Sequence, residues 1–184
     1  AEQACDTVFC GTTETWTAGA KSEPFDALIL SDVLEHTADP LGFLTKLCAL
    51  PSVRSAVWIV SVPNYAVWYN RVRTLLGRFE YSWSGLYDRT HLRFFTRSSV
   101  QRVLEHCGFE VLEDICSPSL AQSAAPVLRR LFSNKLESGD HLALTDSASY
   151  GFYSRWIEPV ESATCRLWPE LLGFQIITAA RLRP

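Results

Sequence analysis

Methionine is absent from all 184 residues, position 1 included, and lysine occurs only as Lys21, Lys46 and Lys135. The scarcity of lysine carries no functional weight. The missing methionine, with a helix-like Ala1-Glu2-Gln3-Ala4 start, leads us to expect a chain that begins inside a domain. No apolar run approaches the ~20 residues needed to cross a bilayer, and no basic-then-apolar start reads as a signal peptide. A cytoplasmic chain with no membrane partner is therefore expected. Cys5, Cys10, Cys48, Cys107, Cys116 and Cys165 are scattered singly, without a C-x-x-C pair. That argues against a zinc site or disulfide framework and for reduced, structural thiols. Positive charge is not in excess either: 17 Lys+Arg against 20 Asp+Glu give a net charge of -3. A general nucleic-acid or anionic-membrane binder is disfavoured on that ground. Nothing in the sequence sets an oligomeric state.

What is present suits one packed domain. Hydrophobic residues make up 47% and charged residues 20%, which excludes a disordered chain. Residues 7–10 (TVFC), ending at Gly11, predict a short strand. Residues 25–30 (FDALIL) form a nearly continuous apolar run, as expected of a strand buried on both faces. Asp39-Pro40 predicts a helix start, followed by Leu41, Phe43, Leu44 and Leu47 at helical spacing. Residues 56–62 (AVWIVSV) read as a second buried strand. Thr96-Arg97-Ser98-Ser99 opens another helix, stopped by Gly108. Residues 109–115 (FEVLEDI) alternate apolar and acidic, which suits a sheet edge, and 174–180 (FQIITAA) close the chain as a strand. Alternating strands and helices of this kind point to an α/β fold with a parallel sheet.

Two stretches resist a simple period. Residues 65–95 are rich in aromatics and arginine, and two readings stand: a substrate-side lining or lid, or an amphipathic helix covering the sheet edge. Trp68, Val72, Leu75 and Leu76 lie close to helical spacing. Residues 117–170 read as a long connection with one or two short helices.

Ligands in open α/β sheets bind beyond the carboxyl ends of the parallel strands. Three polar clusters compete for that place: residues 31–36 (SDVLEH), 61–64 (SVPN) and 88–96 (DRTHLRFFT).

Together, FDALILSDVLEHTADP, VSVPN, GLYDRTHLRFFTRSSVQRVLEHCGFEV and WPELLGFQIITAA resemble the class I S-adenosylmethionine-dependent methyltransferases. The resemblance spans nearly the whole chain. It implies a Rossmann-like methyltransferase sheet in which FDALIL, AVWIVSV, FEVLEDI and FQIITAA are strands four to seven, the last antiparallel. Residues 7–10 would be strand three, with strands one and two missing, so that residues 1–184 form a single partial domain. Implied with it are S-adenosyl-L-methionine as cofactor, held by Gly11, Thr12, Ser31 and Asp32, and methyl transfer to a small-molecule oxygen or nitrogen. The family's glycine-rich G-x-G-x-G turn and ribose-binding acid have no counterpart here, and Thr12 stands where an adenine-binding Asp is common. Impaired cofactor binding follows as an expectation, as does the alternative of a non-catalytic domain that serves as a binding or regulatory partner.

A narrower resemblance is to the metal-dependent small-RNA 2′-O-methyltransferases, whose E-x-x-E-H plus distant His bind a divalent cation. The matching positions are Asp32, Glu35, His36 and His91, with Asp in place of the first Glu. Carboxylates with imidazoles suit Mg or Mn. Spacing of i and i+3 would set Asp32 and Glu35 on one helical face. Three roles stay open for His36 and His91: metal ligation, general-base or positioning work on the acceptor, and a purely structural one. Asp88 and Arg89 are candidates for substrate contact, or a local ion pair. Nucleic acid as a substrate is disfavoured by the acidic balance.

Overall fold

The computed structural model describes Cys5, Val8, Cys10, Gly11 and residues 24–83, 85–118 and 153–183. Its order is β1 (Ala27–Ser31), a 3-10 turn (Leu34–His36), α1 (Pro40–Cys48), a second 3-10 turn (Pro51–Val53), β2 (Val57–Pro63) and α2 (Trp68–Leu75). These are followed by α3 (Arg97–His106), β3 (Phe109–Pro118), a π-helical turn (Tyr153–Ile157), α4 (Glu158–Leu167), α5 (Pro169–Leu172) and β4 (Gly173–Leu182). The four strands form one sheet ordered β1-β2-β4-β3. β1 and β2 are parallel, in a register that sets Ser31 opposite Ser61. β4 runs antiparallel to both β2 and β3. The α/β class, the antiparallel last strand and the edge position of β3 are those expected. Of the strand expected at 7–10, Val8 and Cys10 are described and neither is part of a strand; Thr7, Phe9 and Thr12 lie outside the described residues.

Local chemistry starts and stops the helices. The Asp39 carboxylate accepts from the Gly42 amide at 3.0 Å and Pro40 occupies the first turn, where its missing N–H costs nothing. Thr96 and Ser99 exchange side-chain and backbone bonds at the start of α3. Gly108, at φ +85°, ends that helix in the left-handed region that a β-carbon disfavours.

Helices and sheet bury one apolar layer. Leu44 and Leu47 of α1, Val100 and Leu104 of α3, and Trp58, Val60 and Val62 of β2 meet Phe109 and Ile176 there. The Trp58 indole stands edge-on to Phe109, with ring centroids 4.8 Å apart, and donates its N–H to the Val53 carbonyl. Such an arrangement satisfies the only polar atom on the ring.

Three expectations change. β1 is buried on one face only: Leu30 is in the core, while Ile29, on the opposite face of the strand, is 64% exposed. The helix in the 65–95 stretch does not press its apolar face on the sheet edge. It buries Asn70, and Trp68, Val72, Leu75 and Leu76 face outward. The connection starts later than residue 117, since β3 continues to Pro118.

β3 also breaks its own alternation. A register shift between Val111 and Glu113 inserts one residue, so Phe109 and Val111 point inward before it and Asp114 and Cys116 after it. Asp114 then accepts from Arg97 Nε and Gln101 Nε2 of α3 and from Thr178 Oγ1 of β4.

Candidate functional site

β1 and β2 end side by side, and the chain leaves β1 through Asp32, whose φ of 52° is the left-handed conformation Asp tolerates better than most residues. Asp32 lies outside the following 3-10 turn, so helical i, i+3 spacing does not place it, yet its carboxylate is close enough to Glu35 to raise that group's pKa. Its carboxylate accepts from Gln175 Nε2 at 2.7 Å. The same amide donates to Ser61 Oγ, which in turn bonds Ser31 Oγ, both at 3.3 Å. Gln175 therefore ties together the tips of β1, β2 and β4. Sequence reasoning passed over it; the signal available was a lone amide at the start of an otherwise apolar strand.

The turn after Asp32 is clasped by a segment more than fifty residues away. The Leu92 and Arg93 amides donate to the Glu35 carbonyl at 2.8 and 3.0 Å, and the Arg93 guanidinium donates to the Ala38 carbonyl. This clasp brings His91 to His36, with ring centroids 4.8 Å apart and planes at 70°. Nδ1 of His36 faces the Thr90 carbonyl and Nδ1 of His91 faces the Leu86 carbonyl, each at 3.1 Å. A carbonyl can only accept, so each Nδ1 carries the hydrogen and each Nε2 keeps its lone pair. His36 is exposed and His91 is buried.

Glu35 completes the group. It is 1% exposed, and neither carboxylate oxygen has a hydrogen-bond partner among the described residues. Burial pushes its pKa up to about 7. One ligand atom each from Glu35, His36 and His91 lie within 4.8 Å of one another. The group thus brings two imidazoles and an unsatisfied carboxylate to one small volume, which fits a divalent cation or a proton-accepting role. Asp32 is not one of these three, though its carboxylate adjoins Glu35.

The remaining candidates are placed apart. Asp88 turns back on Thr90, accepting from its amide and hydroxyl at 2.9 and 2.7 Å, and these bonds hold its carboxyl below the usual range. Arg89 lies over the Trp83 ring, 3.8 Å from the centroid. No Asp88–Arg89 ion pair forms among the described residues. Gly11 is exposed. Asn64 of the SVPN cluster bonds the Glu170 and Gly173 carbonyls, and Asn70, which sequence reasoning missed, bonds the Tyr65 carbonyl and the Tyr87 hydroxyl.

A family model described as "Methyltransferase domain" matches residues 6–114, more than half of the chain. The chain belongs to the methyltransferase-domain family. Among solved structures, this methyltransferase domain is similar to a SAM-dependent methyltransferase from Archaeoglobus fulgidus. The TM-score is 0.50 and the identity 17%, over 98% of this chain and 71% of that one. The small RNA methyltransferase HEN1 matches at TM-score 0.45 and 16% identity, over 88% of this chain and 14% of that one. Phosphoethanolamine N-methyltransferase 2 of Haemonchus contortus, in complex with S-adenosyl-L-methionine, matches at 0.45 and 12%, over 91% and 36%. The likeness to the first is one of Rossmann-like fold. No curated protein matches the chain.

Proposed function

We propose that this domain transfers a methyl group from S-adenosyl-L-methionine to an oxygen or nitrogen of a small molecule, with His36 as the group that takes the acceptor proton. The observation that carries this is the pair of imidazoles whose Nδ1 atoms are tied to carbonyls while both Nε2 atoms stay free. In an in-line displacement the acceptor forms a bond to the methyl carbon as the carbon–sulfur bond breaks. The acceptor proton passes to Nε2 of His36, and the products are the methylated acceptor and S-adenosylhomocysteine. The protein's part is alignment and proton removal. His91 holds the orientation of His36 from the buried side, and Asp88 and Arg89 border the acceptor's approach.

For the cofactor, Ser31 and Asp32 at the strand tips and Gly11 are the described residues available, together with Thr12. The 184 residues hold no G-x-G turn, so affinity is expected to be low. Calorimetric titration with S-adenosylhomocysteine tests the reading. Weak binding, abolished by Asp32→Ala, supports it; no binding favours a non-catalytic partner domain.

A second reading has its own observation. The orphaned, buried Glu35 oxygens beside two free imidazole nitrogens fit a divalent cation, Mg or Mn, which when bound would acidify a coordinated hydroxyl. Under this reading His36 ligates rather than accepts the proton. Manganese titration followed by electron paramagnetic resonance separates the two: stoichiometric binding lost in both Glu35→Gln and His91→Gln supports the cation.

A further inference from the structure

Helix α2 is inside out. At 3.6 residues per turn, Trp68, Val72 and Leu75 fall within an arc of about 60°, and Asn70 lies nearly opposite. Asn70 is the buried member, fixed by the Tyr65 carbonyl and the Tyr87 hydroxyl, so the apolar stripe is turned to the outside. Leu75 is 86% exposed and Leu76 62%; Trp83, further along the same segment, is 80% exposed. Arg71 borders the stripe on the helix and Arg78 follows it, both exposed, whereas Arg73 turns its guanidinium back over the buried Tyr87 ring. Residues 65–95 carry five arginines and no lysine, against Glu80 and Asp88 alone.

We infer that this face lies on an anionic lipid surface. An outward apolar stripe with aromatic residues, bordered by guanidinium groups, is the pattern of a helix lying in the plane of a bilayer interface. The positive border gives the charge complementarity that singles out an anionic bilayer over a neutral apolar partner. The chain's net charge of -3 does not oppose it, because salt screens charges more than about 10 Å away and the local balance decides. The segment is also the one that clasps the His36–His91 group, so docking there would hold the candidate site close to the headgroups. The inference does not depend on which methyl acceptor is used.

Co-sedimentation of the full chain with vesicles tests it, using phosphatidylcholine alone or mixed with phosphatidylglycerol, with tryptophan emission as a second readout. Partition into the mixed vesicles should be about tenfold stronger or more, should weaken as salt is raised, and should shift the emission to the blue. Leu75→Glu with Leu76→Glu should weaken it by about tenfold or more, and Arg78→Glu by about fivefold, with circular dichroism unchanged. Equal partition into both vesicle types, or a double variant that binds like the parent, would overturn the inference. So would a chain that ignores vesicles but forms a dimer which the leucine double variant disperses, since a second copy would then be the occupant.

Discussion

The layer between the sheet and helices α1 and α3 and the arginine-rich stretch at 65–95 are held together by opposite means. In the first, Trp58, Phe109, Leu44 and Leu104 interlock with almost no polar atoms, and the one indole N–H is satisfied locally. In the second, an asparagine is buried beside a small apolar cluster of Val67, Leu86 and Tyr87. Its two partners, a backbone carbonyl and a tyrosine hydroxyl, anchor a set of edge-on rings formed by Tyr65, Phe79, Tyr87 and Phe94. Apolar burial is insensitive to direction, whereas a hydrogen-bonded anchor fixes orientation. The consequence is a firm platform that carries the strand tips and a separately oriented arm that delivers His91 to them.

Substitutions at the two centres should break this contrast if it is wrong. Trp58→Ala removes the largest buried side chain and should lower the unfolding free energy by about 3–5 kcal/mol, measured by denaturant titration of the whole chain. Next in size is the pH response of Glu35. Its folded pKa of about 7 stands above the ordinary 4.5, so between those values the unfolded chain has ionised the group while the folded chain still holds the proton. Stability from this group is therefore complete below the lower value, falls as pH rises through the window, and stays lost above it, by up to about 3 kcal/mol. Glu35→Gln should flatten that slope in metal-free protein and raise the melting temperature at pH 8. A variant that is less stable than the parent at that pH would mean the carboxylate has a favourable partner.

Asn70→Ala should cost about 1–3 kcal/mol through the unpaired Tyr87 hydroxyl and Tyr65 carbonyl. The loss should show as faster tryptic cleavage at Arg71, Arg73 and Arg78, with the thermal midpoint of the platform nearly unmoved. A common shift of both would show that the two regions unfold as one. The smallest effects come from the two glycines that end helices at positive φ, Gly77 in the arm at 68° and Gly108 in the platform at 85°. Alanine at either should cost about 1 kcal/mol, read by the trypsin assay in the first case and by the thermal midpoint in the second.

The contrast also explains what the sequence made legible. Platform elements follow from periodicity and punctuation: Asp39-Pro40, the Thr96 cap and Gly108 mark helix ends within a residue or two of where they fall. The pairing of the SDVLEH tip with the RTHLRFF stretch was suggested by the family pattern alone, since backbone bonds from Leu92 and Arg93 to the Glu35 carbonyl leave no trace in residue type. The direction of α2 stayed open between two readings for the same reason. Helical spacing locates an apolar stripe but not what it faces, and one asparagine with two good partners outweighed three apolar residues. Gln175 went unnoticed because a single amide in a strand looks like any other surface residue until its acceptors are placed.

One extra residue in β3 has a consequence for how this chain can change length. Upstream of Leu112 the odd-numbered side chains face α3, and downstream the even-numbered ones do. Removing Leu112 alone would heal the bulge: Val111, Glu113 and Asp114 would keep Ala180, Ala179 and Thr178 as partners, and the three-donor anchor on Asp114 would survive. The bulge is therefore the place in β3 where the chain can lose one residue without turning any later side chain over.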